Sequence, residues 1–211
     1  MAKLLDALSP RAALVEIARD FHARGWMHGT AGNLSARADA EHFWITASGV
    51  PKGRLDDSDF LLVRIKDGAV IEHLRAGSKP SAETAIHRVL YQSFADAGAC
   101  LHGHSVDAAI VSGRAPKSAN GLRLAPIEMV KGFDIWQQNP KVDLPLFVNT
   151  LDVAKLADDI RRRFTKAPPA LSALLVRSHG ATVWGRSLQE AYNRFECLEF
   201  VFSYMSRVRG R

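Results

Sequence analysis

The residues of this chain best suited to do chemistry are two histidines spaced two apart, His102 and His104 in Leu101-His102-Gly103-His104-Ser105. They follow a short apolar run, Ala99-Cys100-Leu101. On an extended segment, positions i and i+2 share a face with Cα atoms roughly 6–7 Å apart. Both imidazoles can then reach one divalent ion, at a Zn–N distance of about 2.0–2.1 Å. Gly103 lets the backbone bend between them and leaves room for a ligand. Taken alone, the pair is a weak signal that fits two ordinary strand-end histidines better. A third imidazole, His179 in Val176-Arg177-Ser178-His179-Gly180, follows a second apolar run, Leu174-Leu175-Val176. Three imidazoles with an open fourth position are what a catalytic zinc uses. Cys100 shares the strand face of His102. As a soft fourth ligand it would close the site and make the metal structural; a small core thiol is the alternative.

Two carboxylates could serve such a centre. Glu83 falls in the first turn of an expected helix, where the dipole and capping donors favour any acid and lower its pKa. Glu128, in Pro126-Ile127-Glu128-Met129-Val130-Lys131-Gly132, lies between apolar residues. It is either exposed on a strand or held in a pocket, and partial burial by Ile127 and Met129 would bring its pKa nearer neutrality, as a general acid needs. Two small-residue loops could take an anion. The stretch from Trp26 to Ser35 holds two glycines with Thr30, Asn33 and Ser35, which suits a nest of backbone N–H groups as well as a plain turn. The stretch from Ala47 to Gly53 adds Ser48, Gly49 and Lys52.

Helices and strands must carry these residues. Ser9-Pro10 opens a helix whose Leu14, Ile17, Ala18 and Phe21 repeat at helical spacing, with Gly25 as its stop. Phe43 to Thr46 reads as a strand. Leu61–Ile65 and Ala69–Glu72 form a hairpin around Asp67-Gly68. Ser81 caps a helix with Ile86, Val89, Leu90 and Phe94 on one face. Val106 to Val111 is a short helix, and residues 113–145 have no clear period. Leu146–Val148 is a strand, Leu151 to Phe164 an amphipathic helix ended by Pro168-Pro169. Strands at 174–176 and 181–184 bracket His179. A last helix starts at Ser187, with Glu190 completing a capping box, and runs to about Val208. The mixture lacks the steady rhythm of a parallel doubly wound sheet. It predicts an α+β fold, a three-layer αβα sandwich around a largely antiparallel sheet, as one domain over residues 1–211.

Bulk properties narrow the function. Hydrophobic residues make up 47% and charged residues 24%, ordinary for a globular protein. No run approaches the roughly 18 apolar residues of a membrane helix. Met1 to Asp6 lacks a signal-peptide core, so the expected location is cytoplasmic, which also suits two cysteines, Cys100 and Cys197, too few for a disulfide framework. The net charge of +6 can draw in anionic metabolites. Its arginines cluster at expected helix ends (Arg161 to Arg163; Arg207, Arg209, Arg211) without interleaved aromatics, so neither nucleic acid nor membrane is an expected partner.

Gly29-Thr30-Ala31-Gly32-Asn33-Leu34-Ser35, Thr46-Ala47-Ser48-Gly49, Lys79-Pro80-Ser81-Ala82-Glu83, Leu101-His102-Gly103-His104-Ser105 and Ser178-His179-Gly180 together resemble the class II aldolase and adducin-head family, in the family's order over nearly the whole chain. Gly25-Trp26-Met27, Glu128-Met129-Val130-Lys131-Gly132 and Glu190-Ala191-Tyr192 most resemble its dehydratase branch, which serves methionine salvage. The resemblance implies an αβα fold, one zinc per subunit, and a ring-like homotetramer with active sites near subunit boundaries. It matches His102, His104 and His179 to metal ligands, and Asn33, Ser48, Gly49 and Ser81, with Thr30 adjacent, to positions that hold a substrate phosphate. Glu83 matches the acid/base of the aldolases and Glu128 the proton donor of the dehydratases. The expected activity is dehydration of a phosphorylated ketose. Some dehydratases carry a cysteine where Glu83 stands, so sugar-phosphate aldolase or epimerase chemistry is the alternative, with a non-catalytic adducin-like module behind it.

Overall fold

A computed structural model of the protein describes residues 5–208; the readings for Met1 to Leu4, Arg209 and Arg211 lie outside them. Ser9 caps α1 (Pro10–Ala23), accepting the Ala12 N–H at 3.4 Å, and Gly25 ends it at φ +73°. The strands that follow are β1 (Asn33–Arg37), β2 (His42–Thr46), β3 (Phe60–Arg64) and β4 (Val70–His73). Next come α2 (Thr84–Ser93), β5 (Ala99–Gly103), α3 (Val106–Arg114), β6 (Gly121–Arg123) and β7 (Asp143–Phe147). The chain continues through α4 (Val153–Lys166), β8 (Ala173–Val176), β9 (Gly180–Gly185) and α5 (Leu188–Arg207). The nine strands form one sheet in the order β4-β3-β2-β1-β5-β9-β8-β7-β6, antiparallel throughout except for β7 beside β8. Residues of α1, α3 and α5 pack on one face, around Phe21, Phe195 and Phe202. Those of α2 and α4 cover the other, around Ile86, Leu90, Ile160 and Phe164. This is the expected αβα sandwich. Among the described residues no helix is long and apolar enough to cross a membrane.

Three local readings need correction. Asn33 to Ser35 is strand rather than loop: β1 lies between β2 and β5 and is buried on both faces, so it lacks the polar–apolar alternation that marks a half-exposed strand. The helix α2 starts at Thr84, three residues after Ser81, whose hydroxyl accepts the Glu83 N–H at 3.3 Å within the preceding turn. Likewise α4 starts at Val153, where Asp152 accepts the Lys155 N–H at 2.9 Å, leaving Leu151 fully exposed before it.

Candidate metal centre

The centre of the sheet brings the three histidines together. His102 is the next-to-last residue of β5, paired with Asn33 of β1 on one side and Thr182 of β9 on the other. Its Nδ1–H donates to the Ala181 carbonyl at 2.9 Å, which turns Nε2 into the acceptor. His104 follows just beyond the strand, where its backbone N–H donates to the Trp26 carbonyl at 2.7 Å. The two Nε2 atoms stand 2.8 Å apart. His179 sits in the turn between β8 and β9, after Ser178 at φ +49°. The serine hydroxyl of Ser112 on α3 accepts the Ser178 N–H at 2.9 Å and steadies that turn. His179 Nδ1–H donates to Asn149 Oδ1 at 3.2 Å, so its Nε2 also faces inward.

Glu83 completes the group. It occupies the N-cap position of α2 but caps nothing; its carboxylate turns to the histidines instead, Oε2 3.2 Å from His102 Nε2 and Oε1 3.2 Å from His179 Nε2. Ligand atoms of Glu83, His102, His104 and His179 all lie within 4.8 Å of one another. Burial alone would raise the pKa of Glu83, but attraction from the imidazoles of His102 and His179 prevails and holds it well below the carboxylate range. The low pKa expected for Glu83 is present; its cause is the imidazoles, not capping donors. Burial and the neighbouring His102 and His179 push His104 down to about 3.

These residues fit a metal ion. His179 Nε2 is buried with no hydrogen-bond partner, near enough to Glu83 for attraction yet not aligned with it. His102 and His179 each spend Nδ1 on a carbonyl-type oxygen, the arrangement that fixes a ligating imidazole. Imidazoles with one carboxylate form a donor set for a divalent ion. Cys100 is not in this group. Its thiol is buried in the apolar core under α2 and α4, pushed above its ordinary pKa by that burial, and the fourth group beside the three imidazoles is the carboxylate of Glu83.

One open depression of about 610 Å³ joins part of this cluster to the small-residue loops: Thr30, Asn33, Ser48, Gly49, Ser81, Glu83, His104 and His179 all line it. Gly49 adopts φ +76° with open space where a side chain would stand, so its backbone is free to approach an anion. The loops are tied together, Lys52 N–H to the Gly29 carbonyl at 2.9 Å and Ser48 N–H to the Lys79 carbonyl at 2.8 Å. Asn149 and the buried Lys52 line the depression as well. Burial brings the Lys52 ammonium down to about 8. Asn149 carried no signal; Lys52 did, as the one cation in a serine–glycine loop.

Glu128 behaves differently from the expectation of a half-buried acid. It opens a 3-10 turn (Glu128–Phe133) whose Ile127 and Met129 pack inward on the core, so its own side chain is carried outward and is 79% exposed. Hydrogen bonding and attraction from Lys131 lower its pKa. It lines a separate depression with Ile135 and Trp136, away from the histidines of its own chain.

A histidine–carboxylate centre at the middle of a mostly antiparallel αβα sheet, faced by serine and glycine loops, defines a class of metal-dependent sugar-phosphate enzymes. The chain belongs to the class II aldolase and adducin N-terminal domain family, matched over residues 12–205. It is 50% identical to the methylthioribulose-1-phosphate dehydratase of Microcystis aeruginosa, over 93% of this chain and 94% of the relative. Among solved structures it is similar to YgbL of Escherichia coli, with a TM-score of 0.80 and 26% identity over 99% of this chain and 93% of that one. It is also similar to the L-fuculose-1-phosphate aldolase of Thermus thermophilus, with a TM-score of 0.71 and 26% identity over 92% and 93%.

Proposed function

We propose that this protein is a zinc-dependent hydro-lyase that converts 5-methylthioribulose 1-phosphate to 2,3-diketo-5-methylthiopentyl 1-phosphate in methionine salvage. The observation that carries this reading is the meeting of three imidazoles and a carboxylate, of which Glu83, His104 and His179 line the depression that also holds the Ser48–Gly49 and Ser81 loops. The 50% identity to a relative of that name supports the substrate. His102, His104 and His179 would hold the ion. A bound zinc supplies Lewis acidity, which makes a C–H beside a ketone easier to deprotonate. Thr30, Ser48, Gly49 and Ser81 would hold the phosphate through hydroxyls and backbone N–H groups. Glu83, ionised at neutral pH, stands ready to take the proton from C3. A protonated carboxyl then gives a proton to the hydroxyl leaving C4, so that water departs and the enol relaxes to the diketone.

For that second proton the resemblance names Glu128, which its own chain keeps exposed and apart from the histidines. We assign it to a neighbouring copy in a homotetramer, each subunit supplying Glu128 to a site near its boundary. Purified protein should dehydrate 5-methylthioribulose 1-phosphate, monitored by diketone absorbance or a coupled assay, well above its turnover of fuculose 1-phosphate and ribulose phosphates. Equal or faster cleavage of fuculose 1-phosphate would replace this reading by the aldolase one. The observation favouring that rival is Glu83 itself, set between His102 and His179. For Glu128, inactive Glu128→Gln and inactive His104→Ala subunits should regain activity when refolded together; no recovery would remove the shared site.

A further inference from the structure

Asn33 matches a phosphate-holding position, and each end of its amide also meets a group of the protein itself. It is 3% exposed, opposite His102 at the start of β1. Its Nδ2–H donates to Glu83 Oε2 at 2.5 Å, and its Oδ1 faces His87 Nε2 at 2.5 Å. Behind His87, Nδ1 lies 2.7 Å from Ser35 Oγ, and that hydroxyl lies 2.8 Å from Tyr91 Oη. All of these groups are buried or half-buried.

The direction of the protons follows from the placement of the amide, Nδ2 on Glu83 Oε2 and Oδ1 on His87 Nε2. Turned the other way, the Asn33 amide would press its oxygen against Glu83 Oε2, acceptor on acceptor. So Nδ2 faces the acid and Oδ1 faces His87, whose Nε2 must carry the proton. Burial keeps His87 neutral, its pKa lowered to about 3. Its Nδ1 therefore accepts, which obliges Ser35 to donate to it and to accept in turn from Tyr91. The fold makes this match by two periodicities. Glu83, His87 and Tyr91 are spaced by four along α2 and its N-cap, while Asn33 and Ser35 are spaced by two along β1.

We propose that Asn33 is a positioning residue for Glu83, its amide locked by His87, Ser35 and Tyr91 so that the carboxylate is held towards His102 and His179. The inference rests on the reading of Glu83 as the base. It separates from a phosphate-binding role by kinetics. A phosphate donor lost raises KM, whereas a base released from its orientation lowers kcat.

The test uses the zinc-loaded enzyme with 5-methylthioribulose 1-phosphate, with zinc content and thermal midpoint measured for each variant. Asn33→Ala should lower kcat about 10–100-fold, the usual cost of losing an outer partner of a metal site, with KM within about twofold and zinc retained. His87→Phe, which cannot donate to Asn33, should reproduce that loss, and His87→Gln, whose amide can, should restore most of it. A raised KM with unchanged kcat in Asn33→Ala would overturn the proposal, as would a His87→Gln variant as slow as a folded His87→Phe. Glu83→Gln is the control. If it turns over like the wild type, the reading of Glu83 fails, a result distinct from either outcome at Asn33.

Discussion

Removing one imidazole should disconnect the protein's stability from zinc. The four ligand groups converge in the folded chain, with all ligand atoms within 4.8 Å, but come from segments far apart in sequence. The unfolded chain offers no such site, so zinc binds the native state selectively. At free zinc a thousandfold above Kd this stabilises the fold by about 4.1 kcal/mol. For a chain of this size each kcal/mol moves the midpoint by about 2–4 °C, so adding zinc to chelator-stripped protein should raise Tm by roughly 8–16 °C. His102 Nε2 and His104 Nε2 share a hydrogen bond at 2.8 Å, while His179 Nε2 has no hydrogen-bond partner. His104→Ala removes that hydrogen bond, worth about 1 kcal/mol, so its midpoint in chelator should lie within a few degrees of wild type. Its zinc-induced rise should nevertheless collapse, along with activity. Differential scanning fluorimetry with and without chelator, checked by elemental analysis of dialysed protein, reads both quantities. A variant that still binds one zinc per chain and gains the full rise would refute the assignment of His104.

Three other outcomes follow from residues around the site. Ser48→Ala should raise KM by roughly tenfold, the scale of one hydrogen bond to a charged group, and lower kcat less; an unchanged KM in steady-state kinetics would remove this loop from phosphate binding. Glu199 on α5 is 3% exposed with one oxygen lacking a partner, and burial, aided by Asp107, raises its pKa to about 8. The folded state thus binds the proton more tightly than the unfolded state, so its contribution is complete below about pH 4.5 and is lost as pH rises to about 8, by up to about 1.4 kcal/mol per pH unit. Urea titrations from pH 5 to 9 should show that fall in wild type and not in Glu199→Gln; parallel curves would contradict it. A Cβ at Gly180 would lie 2.1 Å from the Gly103 carbonyl oxygen, so Gly180→Ala should cost on the order of 3 kcal/mol and impair zinc binding, a loss that urea midpoints would detect.

Much of the layout was legible because it depends on short-range rules. His-x-His on a strand shares a face by the period of two, and Ser9 and Ser187 announced their helices by capping chemistry. What escaped depends on partners distant in sequence. The strand β1 is buried on both faces, so Asn33-Leu34-Ser35 carried no alternation and read as the tail of a glycine loop. Asn33 then looked free for a ligand because the donor and acceptor it meets, His87 and Glu83, lie some 50 residues on. A signal for that network did exist. His87 and Tyr91 stand four apart among Ile86, Val89 and Leu90, and polar groups on the buried face of a helix need partners. At Glu128 the pocket alternative fails for another reason: apolar neighbours in sequence do not bury a side chain when they turn inward and it turns out.

The placing of β5 at the middle of the sheet has a consequence for synthesis. One of its neighbours, β1, precedes it by about 65 residues, but the other, β9, emerges about 80 residues later. Until β9 is made, the segment Ala99-Cys100-Leu101-His102 is an unpaired apolar edge, open to pairing with other nascent chains. His102 and His104 are therefore translated long before their third imidazole, and zinc cannot rescue a stalled or truncated product that ends before β9. In cells, limitation of chaperones should depress the yield of this protein more than limitation of zinc does.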